Sequence, residues 1–320
     1  MYYDVFNGDA DGIIALLQLR KADPKCSKLV TGVKRDIALL QRVVKQNDIS
    51  GCTILDISME KNIDSLYELI DLDIPLFYCD HHRTGEVPQA DNLTALIDLE
   101  ASTCTSLLIN QQLAGRYADW AIVGAYGDNM YVNADQLADV IGLSCNERTF
   151  LKELGTLINY NSYGTSIDDL HIDPAELFQQ LMCYSSPFDL KRDLISPYYA
   201  LKQGYQADYQ HVELLTPIVC TDVSEIYLLP CEAWAKRISG VFGNVLANQS
   251  PDKAHAVLTL NDNKKDYTVS VRAPLNNRTG ADEICCQFVT GGGRKAAAGI
   301  NALPIENKNE FIKVLNKFYQ

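Results

Sequence analysis

With 320 residues the chain is long for one compact core, so two domains are expected, and its apolar, aromatic and charged fractions are those of an ordinary globular protein. No apolar run approaches the roughly 18 residues that cross a bilayer, and Met1-Tyr2-Tyr3-Asp4 lacks the basic patch and apolar run of a signal peptide, so a cytoplasmic protein without a membrane partner is expected. A formal charge of −13 counts against tight binding to long duplex nucleic acid, which needs many Lys and Arg contacts to phosphate.

The same charge leaves small phosphorylated substrates open, because carboxylates clustered around divalent cations add to a negative total. Ten cysteines stand singly except for Cys285-Cys286, and none shows C-x-x-C spacing. A zinc finger or ribbon is therefore not expected, and reduced thiols fit the cytoplasm.

From the N-terminus to about residue 130, short apolar runs alternate with helical patterns. Tyr2–Phe6 reads as a strand and Ile13–Arg20 as a helix. Lys28–Val33 with Ile37–Lys45, and Thr53–Ile57 with Ile63–Ile70, repeat that pairing. Pro75–Cys79 and Thr94–Leu99 read as strands, Thr103–Leu113 and Asp119–Gly127 as helices. The alternation predicts an α/β class domain, a doubly wound, mostly parallel sheet with ligands beyond the carboxyl ends of its strands.

Residues 135–184 read as helical, with Asp173-Pro174 as a helix start. Residues 186–212, rich in Tyr and polar residues, are the predicted linker between a domain over 1–185 and one over 213–320. In the second, Pro217–Leu229 is strand-like, Cys231–Leu246 helical, and Ala254–Leu260 with Tyr267–Arg272 a hairpin around Asn261-Asp262-Asn263. The glycine run Gly291-Gly292-Gly293 and a last helix over Lys308–Phe318 complete a smaller α+β domain.

Four constellations carry chemistry. Asn7-Gly8-Asp9-Ala10-Asp11-Gly12 follows the first strand, and its two aspartates are two residues apart. Taken alone it also fits a glycine turn with a helix N-cap. Asp56 ends another strand, and Asp128 ends the apolar segment before it; each alone fits a helix cap. Asp80-His81-His82-Arg83 stands at a third strand end and uses two of only five histidines. Asp80 would orient one of the imidazoles. A parallel sheet brings its strand ends to one edge, where so many anionic groups repel one another and resist burial unless cations accompany them. Oxygen and imidazole ligands suit Mn²⁺ first, with Mg²⁺ or Co²⁺ as alternatives.

The ordered set Asp-Ala-Asp-Gly, a lone strand-end Asp, Asp-His-His and a later Asp resembles the DHH phosphoesterase family. Gly291 through Gly299 resembles that family's associated C-terminal domain, so the resemblance spans both halves. It implies two divalent metal ions, one on Asp9 and Asp56, the other on Asp11, Asp56, His81 and Asp128, with Asp56 bridging.

The resemblance further implies that His82 faces the substrate phosphate and that Asp80 stands behind the ligands. Arg83, Arg272, Arg294 and the backbone of Gly291, Gly292 and Gly293 would bind substrate. The expected activity is hydrolysis of short oligonucleotides or dinucleotides to mononucleotides. A phosphomonoesterase on a small bisphosphorylated nucleotide, a non-catalytic nucleotide-binding module and a pyrophosphatase are the alternatives. Three positions depart from the family pattern: Val5 where small-substrate members carry histidine, Asn7 where nucleases carry aspartate, and Arg294 where many members carry histidine. At Asn7 an amide oxygen would ligate more weakly than a carboxylate.

Overall fold

In the computed structural model, residues 1–100 and 102–320 are described, and the chain divides into two units, 1–204 and 205–320. The first unit is built on five strands: β1 (Tyr2–Phe6), β2 (Ser27–Val30), β3 (Gly51–Leu55), β4 (Leu76–Asp80) and β5 (Leu93–Ile97). All pair in parallel, in the order β2-β1-β3-β4-β5. The order reverses between β1 and β3, where ligands of open α/β sheets bind.

Helices α1 (Ala10–Ala22), α2 (Leu40–Val43) and α3 (Met59–Ile70) alternate with these strands, and α4 (Thr105–Gln112) to α9 (Pro197–Val212) follow. The strands are apolar almost throughout, as burial on both faces requires. On one face Tyr3, Val5, Cys52, Ile54 and Tyr78 pack with Leu40, Leu66 and Leu69 of α2 and α3. The opposite face carries α1, whose first turn enters the site edge.

Asp4 alternates with Tyr3 and Val5 along β1, so its side chain meets α1 instead. There the Arg20 guanidinium binds it in a two-pronged pair and also donates to Thr53 Oγ1 at 2.9 Å. Ser27 Oγ donates to the same carboxylate at 2.6 Å, and Arg20 and Asp4 are both buried.

One segment differs from the sequence expectation. The helix expected over 37–45 shrinks to the single turn of α2. Asn62 of α3 explains this: its amide donates to the Ile37 carbonyl and accepts from the Leu40 N–H, replacing bonds a longer helix would make itself. The segment 186–212, expected as a partly helical linker, holds a short 3-10 turn over Pro187–Lys191 and the 16-residue α9, and the division between the two units falls within it.

The second unit carries β6 (Val219–Cys220), β7 (Ser224–Leu229), α10 (Ala233–Gln249), β8 (Ala254–Leu260), β9 (Asp266–Arg272), α11 (Ala281–Cys285), β10 (Gly291–Gly293), β11 (Ala297–Pro304) and α12 (Lys308–Tyr319). Its sheet runs β10-β11-β9-β8-β7-β6 and is antiparallel except for the parallel pair β7–β8. Ile226, Leu258, Val269, Phe311 and Leu315 lie in its core. Among the described residues no helix is long and apolar enough to cross a membrane.

The Asp4–Arg20 pair sets a stability test. Removing one partner of a buried ion pair leaves the other charge uncompensated, at a cost of about 3–5 kcal/mol. Asp4→Ala is expected to lose that much in urea unfolding, and the Asp4→Leu/Arg20→Met double variant markedly less. A double-variant loss equal to the sum of the Asp4→Leu and Arg20→Met losses would show that the charges contribute independently.

Candidate metal centre

Register builds this site. Phe6 pairs with Leu55, and Leu55 with Cys79, so the residues that follow leave the sheet side by side at one edge. The ladder runs one step further, with Asn7 N–H donating to the Leu55 carbonyl and Asp56 N–H to that of Cys79. Asp56 then adopts a left-handed backbone with φ of 58°. Such a conformation is costly for a residue with a side chain and recurs at functional sites. It turns the carboxylate back over the strand ends.

Gly8 lets the loop after β1 close tightly, because a Cβ there would lie 1.9 Å from the Gly32 carbonyl oxygen. Asp9 then caps α1, its Oδ1 accepting from the Gly12 N–H at 3.1 Å. Asp11 in the first turn reaches the start of α4. Its two oxygens accept from the Thr105 and Ser106 N–H groups, each at 2.7 Å. These N–H groups lack partners within their own helix, and the positive helix end holds the carboxylate in place. The Thr105 hydroxyl donates to Asp56 Oδ1 at 3.1 Å. Asp128 follows α5 (Ala118–Gly127) directly, and the next residue, Asn129, has φ of 63°.

These elements converge on His81. Its Nε2 lies 3.3 Å from Asp56 Oδ1, 3.7 Å from Asp11 Oδ2 and 3.9 Å from Asp128 Oδ2. Its Nδ1 lies 2.9 Å from the Thr103 carbonyl, which can only accept, so Nδ1 carries the hydrogen. The Nε2 edge of the ring therefore faces three carboxylates, an arrangement a divalent cation stabilises. Two groups of potential ligands emerge: Asp11, His81 and Asp128, and Asp56, His81 and His82. This oxygen-rich set with imidazole fits a hard or borderline divalent ion such as Mn²⁺ or Mg²⁺.

His82 is held differently. Its Nδ1 lies 2.7 Å from Asp80 Oδ1, so Asp80 orients His82, while the Thr103 carbonyl orients His81. About a quarter of the His82 side chain is exposed, against almost none of His81. Arg83 is exposed beside them.

Asp9 belongs to neither ligand group. Its Oδ2 is ion-paired with Lys34, whose ammonium also lies 3.2 Å from Asn159 Oδ1 and 3.9 Å from Asp128 Oδ1. The Asn7 amide is engaged locally: Oδ1 accepts from the Asp9 N–H at 3.2 Å, and Nδ2 donates to the Lys34 carbonyl at 3.3 Å.

The electrostatics match. Burial pushes the Asp56 carboxyl well above its ordinary value, and Asp9 and Asp11 add to the rise. Burial would also raise Asp9, but Lys34 outweighs it and the net shift is downward. Burial opposes the Lys34 charge, yet Asp9 leads the interactions that raise it overall.

The remaining expected residues lie in the second unit. Gly291–Gly293 is the edge strand β10, paired with β11, and a Cβ on Gly291 would meet the Cys285 carbonyl oxygen at 1.7 Å. Close packing thus accounts for a glycine there. Arg272 donates to Asn244 Oδ1 at 2.6 Å and to the carbonyls of Gly240 and Val271. Arg294 follows β10, its N–H bonded to the Ala297 carbonyl at 2.8 Å.

Lys34, Thr105, Ser106 and Asn159 are absent from the sequence expectation. The hydroxyl cluster at 102–106 ahead of a helical run signalled a helix start; Lys34 and Asn159 carried no local signal.

No protein-family model and no curated protein matches the sequence. Solved structures do. A DHH-domain protein described as a member of a ribosomal-protein family superposes with a TM-score of 0.70 at 14% identity, over 99% of this chain and 86% of that one. Exonuclease RecJ bound to manganese gives 0.61 at 16% identity, over 99% and 89%. RecJ from Thermus thermophilus with Mn²⁺ gives 0.65 at 17%, over 99% of this chain and 52% of that one. A pGpG-specific phosphodiesterase from Vibrio cholerae gives 0.50 at 13%, over 100% and 99%. The chain therefore has the DHH phosphoesterase fold.

The raised Asp56 carboxyl sets a pH test. An acid held above its ordinary value keeps its proton to higher pH, and an ion must displace that proton to bind. Mn²⁺ binding is expected to release protons in calorimetry and to weaken as the pH is lowered. Thr105→Val, which removes the hydroxyl behind Asp56, is expected to weaken binding by roughly 10–100-fold, as loss of an outer-sphere partner does. Binding that ignores both pH and Thr105 would place the ion elsewhere.

Proposed function

We propose that the protein is a metal-dependent phosphoesterase that hydrolyses phosphodiester bonds of short oligonucleotides or dinucleotides to mononucleotides. The observation that carries this reading is His81, tautomer set by Thr103, its Nε2 facing Asp11, Asp56 and Asp128. Those four residues would hold a divalent ion, Mn²⁺ before Mg²⁺ or Co²⁺. The expectation of two ions becomes a requirement for two cationic centres at the acidic edge, with Asp9 beside the second. When bound, such an ion lowers the pKa of water and polarises a phosphoryl oxygen.

The chain's own groups would do the rest. Asp80 fixes the His82 ring through Nδ1, leaving Nε2 turned away from Asp80. In its protonated form His82 offers the Nε2 hydrogen to a phosphoryl or leaving oxygen. Thr105 and the α4 N–H groups hold Asp56 and Asp11 in place, so the ligands need little rearrangement. Arg83, exposed beside His82, is a proposed phosphate contact. Arg294 and the Gly291–Gly293 backbone are proposed substrate groups of the second unit, with Arg272 braced against α10.

Two structural neighbours favour a nucleotide-type substrate: one is described as an exonuclease and another as acting on the dinucleotide pGpG. The acidic overall charge favours short substrates over polymers.

In Mn²⁺, RNA of two to five nucleotides is expected to be hydrolysed to mononucleotides faster than a 3′-phosphorylated nucleotide loses its phosphate. Chelator and Asp56→Ala are expected to abolish turnover, and His82→Ala to lower kcat by about 10²–10⁴. Faster loss of the 3′-phosphate would make the protein a monoesterase on bisphosphorylated nucleotides. Binding without any turnover would make it a nucleotide-binding module.

A further inference from the structure

Lys34 is held by its backbone as well as by its ammonium. Its N–H donates to the Ser162 carbonyl at 2.9 Å, and its own carbonyl accepts from the Asn7 amide. Gly32 packs under Gly8, fixing the approach of this segment to the loop after β1. The ammonium then meets Asp9 Oδ2, Asn159 Oδ1 at 3.2 Å, Asp128 Oδ1 at 3.9 Å and the Tyr163 ring face at 5.7 Å. Asn159 is buried, so one of these oxygens is a neutral acceptor aimed at the charge from the protein interior.

Asp9 has little left to offer a second metal ion. Its Oδ1 takes the Gly12 N–H and its Oδ2 takes Lys34. Among the described residues, Asp9 belongs to no group of three potential ligands. Both polar atoms of the neighbouring Asn7 amide already have partners. The positive charge needed between Asp9 and Asp128 is therefore already supplied by the polypeptide.

We propose that the Lys34 ammonium is a built-in cation standing where a second metal ion would otherwise sit, so that the acidic centre takes one divalent ion per chain. This rests on the metal-dependent reading above. The bound ion belongs with Asp11, Asp56, His81 and Asp128, while Lys34 neutralises Asp9 and keeps one flank of the centre positive. An ammonium presents three N–H donors in a compact charge, so it also suits a phosphoryl oxygen as partner. Unlike a metal ion it stays in place under chelation, so the loss of activity with chelator reports a single bound ion.

The test is metal stoichiometry with electron paramagnetic resonance on the full chain, using Mn²⁺ alone. The wild-type protein is expected to bind one Mn²⁺ and give the six-line spectrum of an isolated ion. Lys34→Gln is expected to bind a second Mn²⁺ and show the exchange-coupled spectrum of a close pair. Two coupled ions in the wild type, or a Lys34→Gln protein that still takes one, would overturn the assignment to Lys34 and leave the metal centre standing. No bound Mn²⁺ in the wild type would overturn both. The wild-type spectrum decides the matter even where the variant does not fold.

Discussion

The mutual repulsion of four buried carboxylates governs this structure. Asp11, Asp56 and Asp128 meet around the His81 imidazole, with Asp9 close by on Lys34, and all four side chains have almost no access to water. Removing that much charge from solvent is unfavourable unless each group is matched. The surroundings are arranged to match them. The start of α4 gives two N–H groups to Asp11, Thr105 gives a hydroxyl to Asp56, and Lys34 gives an ammonium to Asp9. Burial, with Asp9 and Asp11 adding to it, pushes the Asp56 carboxyl upward, and Asp56 lies nearest to His81 Nε2. A divalent ion at that point completes the neutralisation.

The scaffold exists to hold that edge. Parallel strands end together, their apolar runs are buried on both faces, and the polar residues that follow emerge where the strand order reverses. The buried Asp4–Arg20 pair ties α1 to β1 and β3 below the site, so the helix that carries Asp11 is anchored to the sheet that carries Asp56. The same fold serves different reactions in different proteins, so the activity rests on the side chains at this edge and not on the superposition.

Much of this was legible along the chain. Apolar runs ending in Asp56 and in Asp80-His81-His82 marked strand ends, and a parallel sheet necessarily gathers strand ends. Asp128 was legible for a different reason, as a carboxylate closing an apolar helix. What could not be read locally depends on partners far away in sequence. Lys34 meets Asp9 only because Gly8 and Gly32 interlock, and Asn159 reaches it across more than a hundred residues. Asn62 cuts a periodic apolar segment down to one helical turn in the same way. The glycines at 291–293 form an edge strand, and its packing against Cys285, which leaves no room for a Cβ at Gly291, had no local signal.

The central claim is that Asp11, Asp56, His81 and Asp128 together hold a divalent ion. A crystal soaked in manganese and measured at the manganese absorption edge tests it most directly. A strong anomalous peak is expected within coordination distance of His81 Nε2 and of an oxygen from each of the three aspartates. A map with no peak among them, or with its peak elsewhere in the chain, would contradict it.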